Sequence, residues 1–183
     1  MPTAAQNLAF IHAGLLELET YLNSDVLFWP LAGPSNQQRL TPGGILLGVK
    51  RLWGWETSLA EQTEMTRLES RLDSIRRKWS SAWELKSRQE VHARLNLWKN
   101  YLADYRESPD LQAELYPKQV HLRVLLHLLE LDTGLLPEET NMLAELDRII
   151  QSAWLSGGFL WEQELASTFP EPEYWFLYGI LKS

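Results

Sequence analysis

Apolar side chains recur every three or four residues along most of this chain. Because that spacing places side chains on one face of an α-helix, it is the main signal of helical structure in a sequence. Near the start, Thr3 and Gln6 have the spacing of a capping box, in which two side chains satisfy N–H groups at a helix N-terminus. The first helix is therefore predicted over 4–22, with an apolar stripe of Leu8, Ile11, Leu15, Leu18 and Leu22.

The most regular stretch begins at Ser58, whose capping-box partner lies three residues later. A further pair with the same spacing, Ser87 and Glu90, follows after the apolar stripe has changed phase. A change of phase means that one straight helix cannot keep all of the stripe on the core. The pattern predicts a long or kinked central helix pair, with either a break at about 84–90 or a kink in a helix over about 58–107.

Shorter helices account for most of the remaining chain. No segment of convincing length alternates between apolar and polar residues with a period of two, as a half-buried strand would. The fold class predicted is therefore all-α, and 183 residues suit one domain, an irregular helical bundle over 1–183. Further helices are predicted from Pro42, from Pro109, over 118–133, from Pro137 to about 155, and over about 159–167 and 172–181.

The segment 24–40 has no helical period, although it carries several apolar residues. An irregular connection of this length is uncommon in a compact domain, and such loops are usually packed or functional. Two interpretations stay open. The loop either folds over the core with Trp29 as its anchor, or is exposed and binds a partner or gates a ligand.

Composition excludes several kinds of chemistry. The chain has no cysteine, which removes disulfides, thiol nucleophiles and thiolate metal sites. No metal or cofactor is predicted, because the metalloprotease and phosphate-loop motifs are missing. No apolar run approaches the about 20 residues that a membrane helix needs, and the first residues do not resemble a secretory signal. The expected location is therefore the cytoplasm.

Basic residues are concentrated between 67 and 99, the only net-basic part of a chain whose formal charge is −7. Arg67, Arg71 and Lys78 project onto one flank of the predicted helix. Three interpretations stay open: the polar border of a core helix, a surface for an acidic protein, or a nucleic-acid surface. Because the chain carries so many carboxylates of its own, we expect part of this flank to pair within the protein, which disfavours nucleic acid.

His121 lies among leucines on the apolar face predicted for 118–133. We expect it to be buried, since a histidine in that position is most simply a hydrogen-bonded core residue. A buried histidine can also belong to a pocket, because titratable groups with perturbed pKa values are frequent at functional sites. His121 is therefore the residue around which an enzyme or ligand-binding pocket is predicted, if the chain has one.

Two Arg-x3-His pairs, Arg88 with His92 and Arg123 with His127, each place an arginine and a histidine one helical turn apart. They are similar to the Arg-(x4–6)-His motif of the HEPN ribonucleases, which are also helical. The resemblance implies RNA cleavage by an Arg/His pair across a dimer. Both spacings here are one residue shorter than the motif, and Gln89 alone matches the polar residue that follows its arginine.

The chain has nine tryptophans, and Trp161 and Trp175 have the weakest assignment to a helix core. Aromatic residues are enriched where proteins meet, so these two predict either a docking surface or packing of the chain's end onto the bundle. Since no catalytic constellation is visible, the sequence favours a non-enzymatic interaction or accessory protein with an aromatic or basic helical surface and a protein partner or a second copy. The alternatives are an enzyme or ligand-binding bundle with a pocket near His121, and a nucleic-acid-binding protein.

Overall fold

A computed structural model describes residues 3–31, 39–55 and 58–183. Helices dominate these residues, so the predicted all-α class is confirmed. Two short antiparallel ladders accompany them: β1 (Trp29–Pro30) pairs with β2 (Arg39–Leu40), and β3 (Trp154–Ser156) with β4 (Gly179–Leu181). The helices are α1 (Ala4–Leu22), α2 (Pro42–Leu52), α3 (Leu59–Lys78), α4 (Ser80–Glu107), α5 (Pro109–Ala113), α6 (Tyr116–Gln119), α7 (His121–Thr133) and α8 (Pro137–Ser152).

Contacts divide the chain into two compact units, 1–90 and 91–183, whose boundary falls inside α4. The single domain expected over 1–183 stays a prediction. In the first unit, α1 begins as predicted, with Thr3 and Gln6 forming both hydrogen bonds of the capping box. The core of this unit is formed by apolar side chains of its helices and the β1–β2 ladder, including Phe10, Ile11, Leu15, Leu18, Leu40, Ile45, Met65, Leu68, Leu72 and Trp83.

The break between the long helices lies at Trp79, earlier than the predicted 84–90. Trp79 leaves helical geometry, with φ −116° and ψ 36°, although its N–H still donates to Ile75. Because this one residue absorbs the change of phase, α4 runs through 84–90 without interruption. The capping box predicted for Ser87 and Glu90 is therefore wrong.

In the second unit, the apolar faces of α7 and α8 are buried, Arg123 of α7 pairs with Asp147 of α8, and the rings of His127 and Tyr174 pack edge-on. The helix predicted over 118–133 is divided near Val120 into α6 and α7. Helix α8 ends at Ser152, because the chain then extends into β3.

Helices predicted over 159–167 and 172–181 are wrong. The chain instead forms two single 3₁₀ turns, Gln163–Leu165 and Trp175–Leu177, before it enters β4. The backbone of Gly179 packs directly under the Trp154 ring and the Leu155 carbonyl. Only a glycine fits at such a close approach, so the pairing of β3 with β4 takes the place of a helix.

Candidate functional site

Helices α1 and α3 pack side by side in the same direction. His12 contacts Glu64, Leu15 contacts Arg71 and Glu19 contacts Lys78. Residue numbers therefore increase in the same direction along both helices. Their shared border facing away from the core is called the α1–α3 seam here. It is formed by Ala5, Leu8, His12, Leu16 and Glu19 of α1 and by Ala60, Glu64, Arg71, Ser74 and Lys78 of α3.

Near the N-termini of both helices the seam opens into an apolar groove of about 400 Å³. Alanines create the space, because Ala4, Ala5 and Ala60 have no side chain beyond Cβ. The other side chains that line it are Leu8, Leu52, Trp55, Glu61, Glu64 and Met65. A concave site of a few hundred Å³ with a mostly apolar lining is typical of binding sites in proteins.

Two carboxylates border the apolar groove. Glu61 accepts hydrogen bonds from the N–H and hydroxyl of Ser58, both at 2.7 Å, and these bonds lower the pKa of its carboxyl. Glu64 lies 3.5 Å from the His12 imidazole and 3.3 Å from the Arg67 guanidinium. This end of the seam therefore combines an apolar floor with an acidic border.

Further along the seam lies a charged groove of about 430 Å³, lined by Leu15, Leu16, Glu19, Arg71, Ser74, Ile75 and Lys78. Lys78 Nζ lies 3.0 Å from the Glu19 carboxylate, and this hydrogen bond lowers the pKa of Glu19. Arg71 Nη2 donates to the Leu15 carbonyl at 3.3 Å, a long hydrogen bond. Leu16 is 72% exposed. The charged groove thus has two cations, one carboxylate and an exposed leucine on its wall.

The basic flank predicted from the sequence is only partly brought together. Arg71 and Lys78 both line the charged groove, whereas Arg67 is exposed and pairs with Glu64 beside the apolar groove. Pairing with a distant part of the chain is confirmed for Lys78, whose partner Glu19 is 59 positions away. The partner carboxylates, Glu19 and Glu64, both belong to the first unit.

Trp29 is half-buried in β1, and its indole N–H donates to the Glu17 carboxylate at 2.6 Å. Its ring also packs edge-on against Tyr21, with 6.3 Å between the ring centroids. These contacts support the interpretation of Trp29 as an anchor of its segment. Positions 32–38 of the predicted loop lie outside the described residues.

His121 is not buried, contrary to the prediction. It is half-buried at the first residue of α7, where Nδ1 lies 2.7 Å from the Lys118 carbonyl. The projection failed because it assumed one continuous helix over 118–133, whereas α7 starts at His121 itself. Neither groove of the seam includes His121.

Trp161 is only 7% exposed, which favours the second interpretation, packing of the chain's end. Its ring packs edge-on against Phe169 at 5.2 Å, within a cluster of buried aromatic rings that includes Tyr174 and Phe176. Trp175 is half-buried and packs edge-on against Trp154 at 5.4 Å. The aromatic residues at the end of the chain therefore pack mainly on one another.

The Arg-x3-His pairs are engaged in local contacts. Arg123 forms two hydrogen bonds of 2.8 Å to Asp147, and His127 Nε2 lies 3.0 Å from a Glu173 carboxylate oxygen. Arg88 pairs with Glu84 at 2.9 Å, and His92 lies 3.1 Å from Asn96. Arg123 is held by the largely buried Asp147 carboxylate, which opposes the role in RNA cleavage that the ribonuclease resemblance implies for it, whereas the Arg88–Glu84 pair is exposed.

The apolar groove escaped sequence analysis. Its signal is a set of alanines on the solvent side of two helices, and exposed alanines are common on any helix. Leu16 is a second signal of the groove in the sequence. It is an apolar residue that lies outside the core stripe of α1, where a polar residue is expected. Together these features place apolar side chains on the solvent side of this helix border.

No family model, curated protein or solved structure matches this chain. Within the described ranges, no group of three or more histidine, aspartate or glutamate side chains is placed to hold a metal ion. None of the described helices combines the length and the apolar character needed to cross a membrane.

Proposed function

We propose that the protein is a non-enzymatic interaction protein whose α1–α3 seam binds an amphipathic helix of a partner protein. The observation that carries this proposal is the alignment of two grooves, of about 400 and about 430 Å³, along one helix border. The residues that line both grooves lie on the same flank of α1 and the same flank of α3. A cytoplasmic protein partner is part of the proposal.

The length of the seam suits a helix. From Ala5 to Glu19 it extends about 21 Å at 1.5 Å per residue, which corresponds to about four helical turns. A helix that binds in a groove inserts apolar side chains from positions i, i+3 or i+4, and i+7. Two consecutive grooves along one border provide separate places for such side chains.

The ion pairs across the seam do not oppose binding strongly. His12–Glu64 and Lys78–Glu19 are exposed pairs, and exposed pairs contribute only about 0–1 kcal/mol each. A partner can therefore rearrange them at little cost. The gain comes from covering Leu16 and the apolar lining, since a few well-packed apolar contacts supply most of the affinity in such interfaces.

A displayed library of helical peptides of about 18 residues, long enough to span the seam, tests the proposal. We expect selection on the purified protein to enrich peptides with apolar residues at i, i+3 or i+4, and i+7. Ala60→Gln, which fills the apolar groove, and Leu16→Ala, which trims the charged groove, should each weaken the selected peptides about tenfold or more.

Matched controls are available on α3. Leu59 is 81% exposed and Thr66 is exposed, and both project away from the seam. Leu59→Ala and Thr66→Gln should leave peptide affinity unchanged. The proposal fails if enriched peptides lack the apolar pattern, or if the seam variants and the control variants have the same effect.

The apolar groove also favours a second candidate function, binding of a small apolar molecule. A volume of about 400 Å³ with a mostly apolar lining lies within the range of small-molecule sites. Trp55 lines this groove, so quenching of its fluorescence by an apolar dye would report occupancy. Such binding should be blocked by Ala60→Gln and unaffected by Leu16→Ala, whereas a bound helix is weakened by both.

A further inference from the structure

We propose that the helix bound by the seam lies antiparallel to α1 and α3, with an acid-rich N-terminal turn over the charged groove and basic C-terminal turns over the border of the apolar groove. This orientation rests on the proposed function of the seam. It specifies the chemistry of the partner: an amphipathic segment whose acidic residues precede its basic residues.

The side-chain charges differ between the two ends of the seam. Arg71 and Lys78 lie at the charged groove with Glu19 as the one carboxylate of its lining. Glu61 and Glu64 lie at the apolar groove, whose lining has no basic residue, and among the described residues the exposed Arg67 beside this groove pairs with Glu64 alone. Complementary charges fix the register and direction of a bound helix and disfavour the reverse arrangement.

The backbone supports the same direction. Because α1 and α3 are parallel, both N-termini lie at the apolar groove, whereas α3 ends at the charged groove and α1 ends one turn beyond it. A helix carries partial positive charge at its N-terminus and partial negative charge at its C-terminus. A third helix therefore packs most favourably with its N-terminus beside the C-terminal ends of α1 and α3.

The required sequence also suits an isolated helix. Acidic residues stabilise the first turn of a helix and basic residues stabilise its last turn, through the same partial charges. A peptide with acidic residues first is thus more helical before binding, so it loses less conformational entropy when it docks. The charges of the seam and the helical stability of the free peptide therefore both favour acidic residues first and basic residues last.

Two synthetic peptides of about 18 residues test the orientation. They have the same composition and the same apolar positions, but one begins with its acidic residues and the other with its basic residues. Both are acetylated and amidated, so that terminal charges do not contribute, and both carry a nitroxide label at the N-terminus. Affinity is measured by calorimetry at low salt, and position by paramagnetic broadening of backbone amide signals.

We expect the acid-first peptide to bind about tenfold more tightly and to lose this advantage as salt is added. Its label should broaden signals near Ser74 and Lys78 and spare those near Ala60. Tighter binding of the base-first peptide, equal binding of both, or broadening near Ala60 by the acid-first peptide would overturn the orientation while leaving helix binding intact. Failure of both peptides, together with failure of the library selection, would instead overturn the proposed function.

A charge reversal separates contact from long-range attraction. Arg71→Glu should remove most of the preference for the acid-first peptide. Arg77→Glu changes the net charge equally on the same helix, but Arg77 is exposed and projects about 120° away from Arg71 around the helix axis, so the preference should persist. Equal effects of the two variants would show that overall charge alone sets the preference, and the orientation would be wrong. Circular dichroism of each variant checks that the helices remain folded.

Discussion

The carboxylate of Glu90 on α4 accepts a hydrogen bond of 2.7 Å from the hydroxyl of Thr41, although the two residues are 49 positions apart. The second carboxylate oxygen accepts from the Gly43 N–H, also at 2.7 Å. Thr41 in turn caps α2 by accepting from the Gly44 N–H at 3.0 Å. Glu90 and Thr41 are fully buried. The free N–H groups at the N-terminus of α2 are therefore satisfied in part by a side chain from another helix.

Replacing Glu90 by alanine should destabilise the protein strongly. The change leaves the Thr41 hydroxyl and the Gly43 N–H buried without this acceptor, and it removes a negative charge from a helix N-terminus. We expect a loss of about 2–4 kcal/mol in the free energy of unfolding, measured by urea denaturation. Gln89→Ala, at the exposed neighbour on α4, should cost less than about 0.5 kcal/mol. Similar values for both variants would contradict this role of Glu90.

Glu90 also shows how far local patterns determine this fold. The capping boxes predicted at Thr3 and Ser58 are present, because the residues that form them are close in sequence. Ser87 and Glu90 have the same spacing, but Glu90 binds the start of α2 instead. The sequence correctly marks Glu90 as a capping residue and assigns it to the wrong helix, since tertiary contacts decide which N–H groups lie within reach.

The end of the chain was mispredicted for a related reason. Its apolar residues have spacings that fit short helices, but Pro170 and Pro172 interrupt them and Gly179 permits a close strand pairing. Whether such a segment becomes a helix or a strand depends on what it packs against. Here the segment packs against β3 and the aromatic cluster, which favour the strand. Neither of these can be identified from local periodicity.

Gly179→Ala should therefore destabilise the second unit. A Cβ at this position would overlap the Leu155 carbonyl and the Trp154 ring, so β3 and β4 would have to move apart. We expect a cost of about 1–3 kcal/mol, as for other overpacked sites, measured as a lower midpoint of thermal unfolding. At Gly158 a Cβ would meet no atom within 4 Å, so Gly158→Ala should be neutral or slightly stabilising. A neutral Gly179→Ala would mean that the ladder is not tightly packed.

The candidate site was predictable only in part. Arg71 and Lys78 stand out from the sequence as one basic flank, and they do line one groove. The grooves themselves depend on the parallel packing of α1 with α3 and on where alanines of two separate helices meet. Pairing between Lys78 and Glu19 depends on the same packing. A cavity is a property of the space between elements, so the pattern of a single helix does not encode it.

Arg123 and Asp147 form a pair that should be sensitive to the loss of one partner. Two hydrogen bonds of 2.8 Å join them, both side chains are largely buried, and the guanidinium lies 4.6 Å from the centre of the Phe176 ring. Asp147→Ala would leave a buried cation without this partner, at a cost of about 3–5 kcal/mol in the free energy of unfolding. The double variant Arg123→Met with Asp147→Leu should recover most of that loss, because no unpaired charge remains.

An exposed pair on α4 provides the control for this prediction. Arg88 also donates two hydrogen bonds to a carboxylate, that of Glu84, but both side chains are substantially exposed. Glu84→Ala should therefore change the free energy of unfolding by less than about 0.5 kcal/mol. If Asp147→Ala lowers the free energy of unfolding no more than Glu84→Ala does, burial does not increase the contribution of the Arg123–Asp147 pair to stability. If the double variant is less stable than Asp147→Ala, the pair contributes packing that apolar residues cannot replace.

Alkaline pH should destabilise the second unit through its tyrosines. Burial raises the pKa of Tyr101, Tyr116 and Tyr174 above the ordinary value of 10, and the Tyr116 hydroxyl donates to the Phe176 carbonyl at 2.7 Å. Because the folded protein then holds these protons more tightly than the unfolded chain, the stabilisation is complete below pH 10 and is lost as the pH rises above it.

Each such tyrosine lowers the free energy of unfolding by about 1.4 kcal/mol per pH unit once the unfolded chain has ionised. Tyr116→Phe removes one of these groups, so the decline above pH 10 should become shallower by about that amount, even though the variant is less stable at neutral pH. Near-ultraviolet absorbance of tyrosinate, recorded together with the helical circular dichroism signal, provides the measurement. The buried tyrosines should ionise only as the helical signal disappears. Ionisation of all six tyrosines while the helical signal is intact would show that these hydroxyls are not buried.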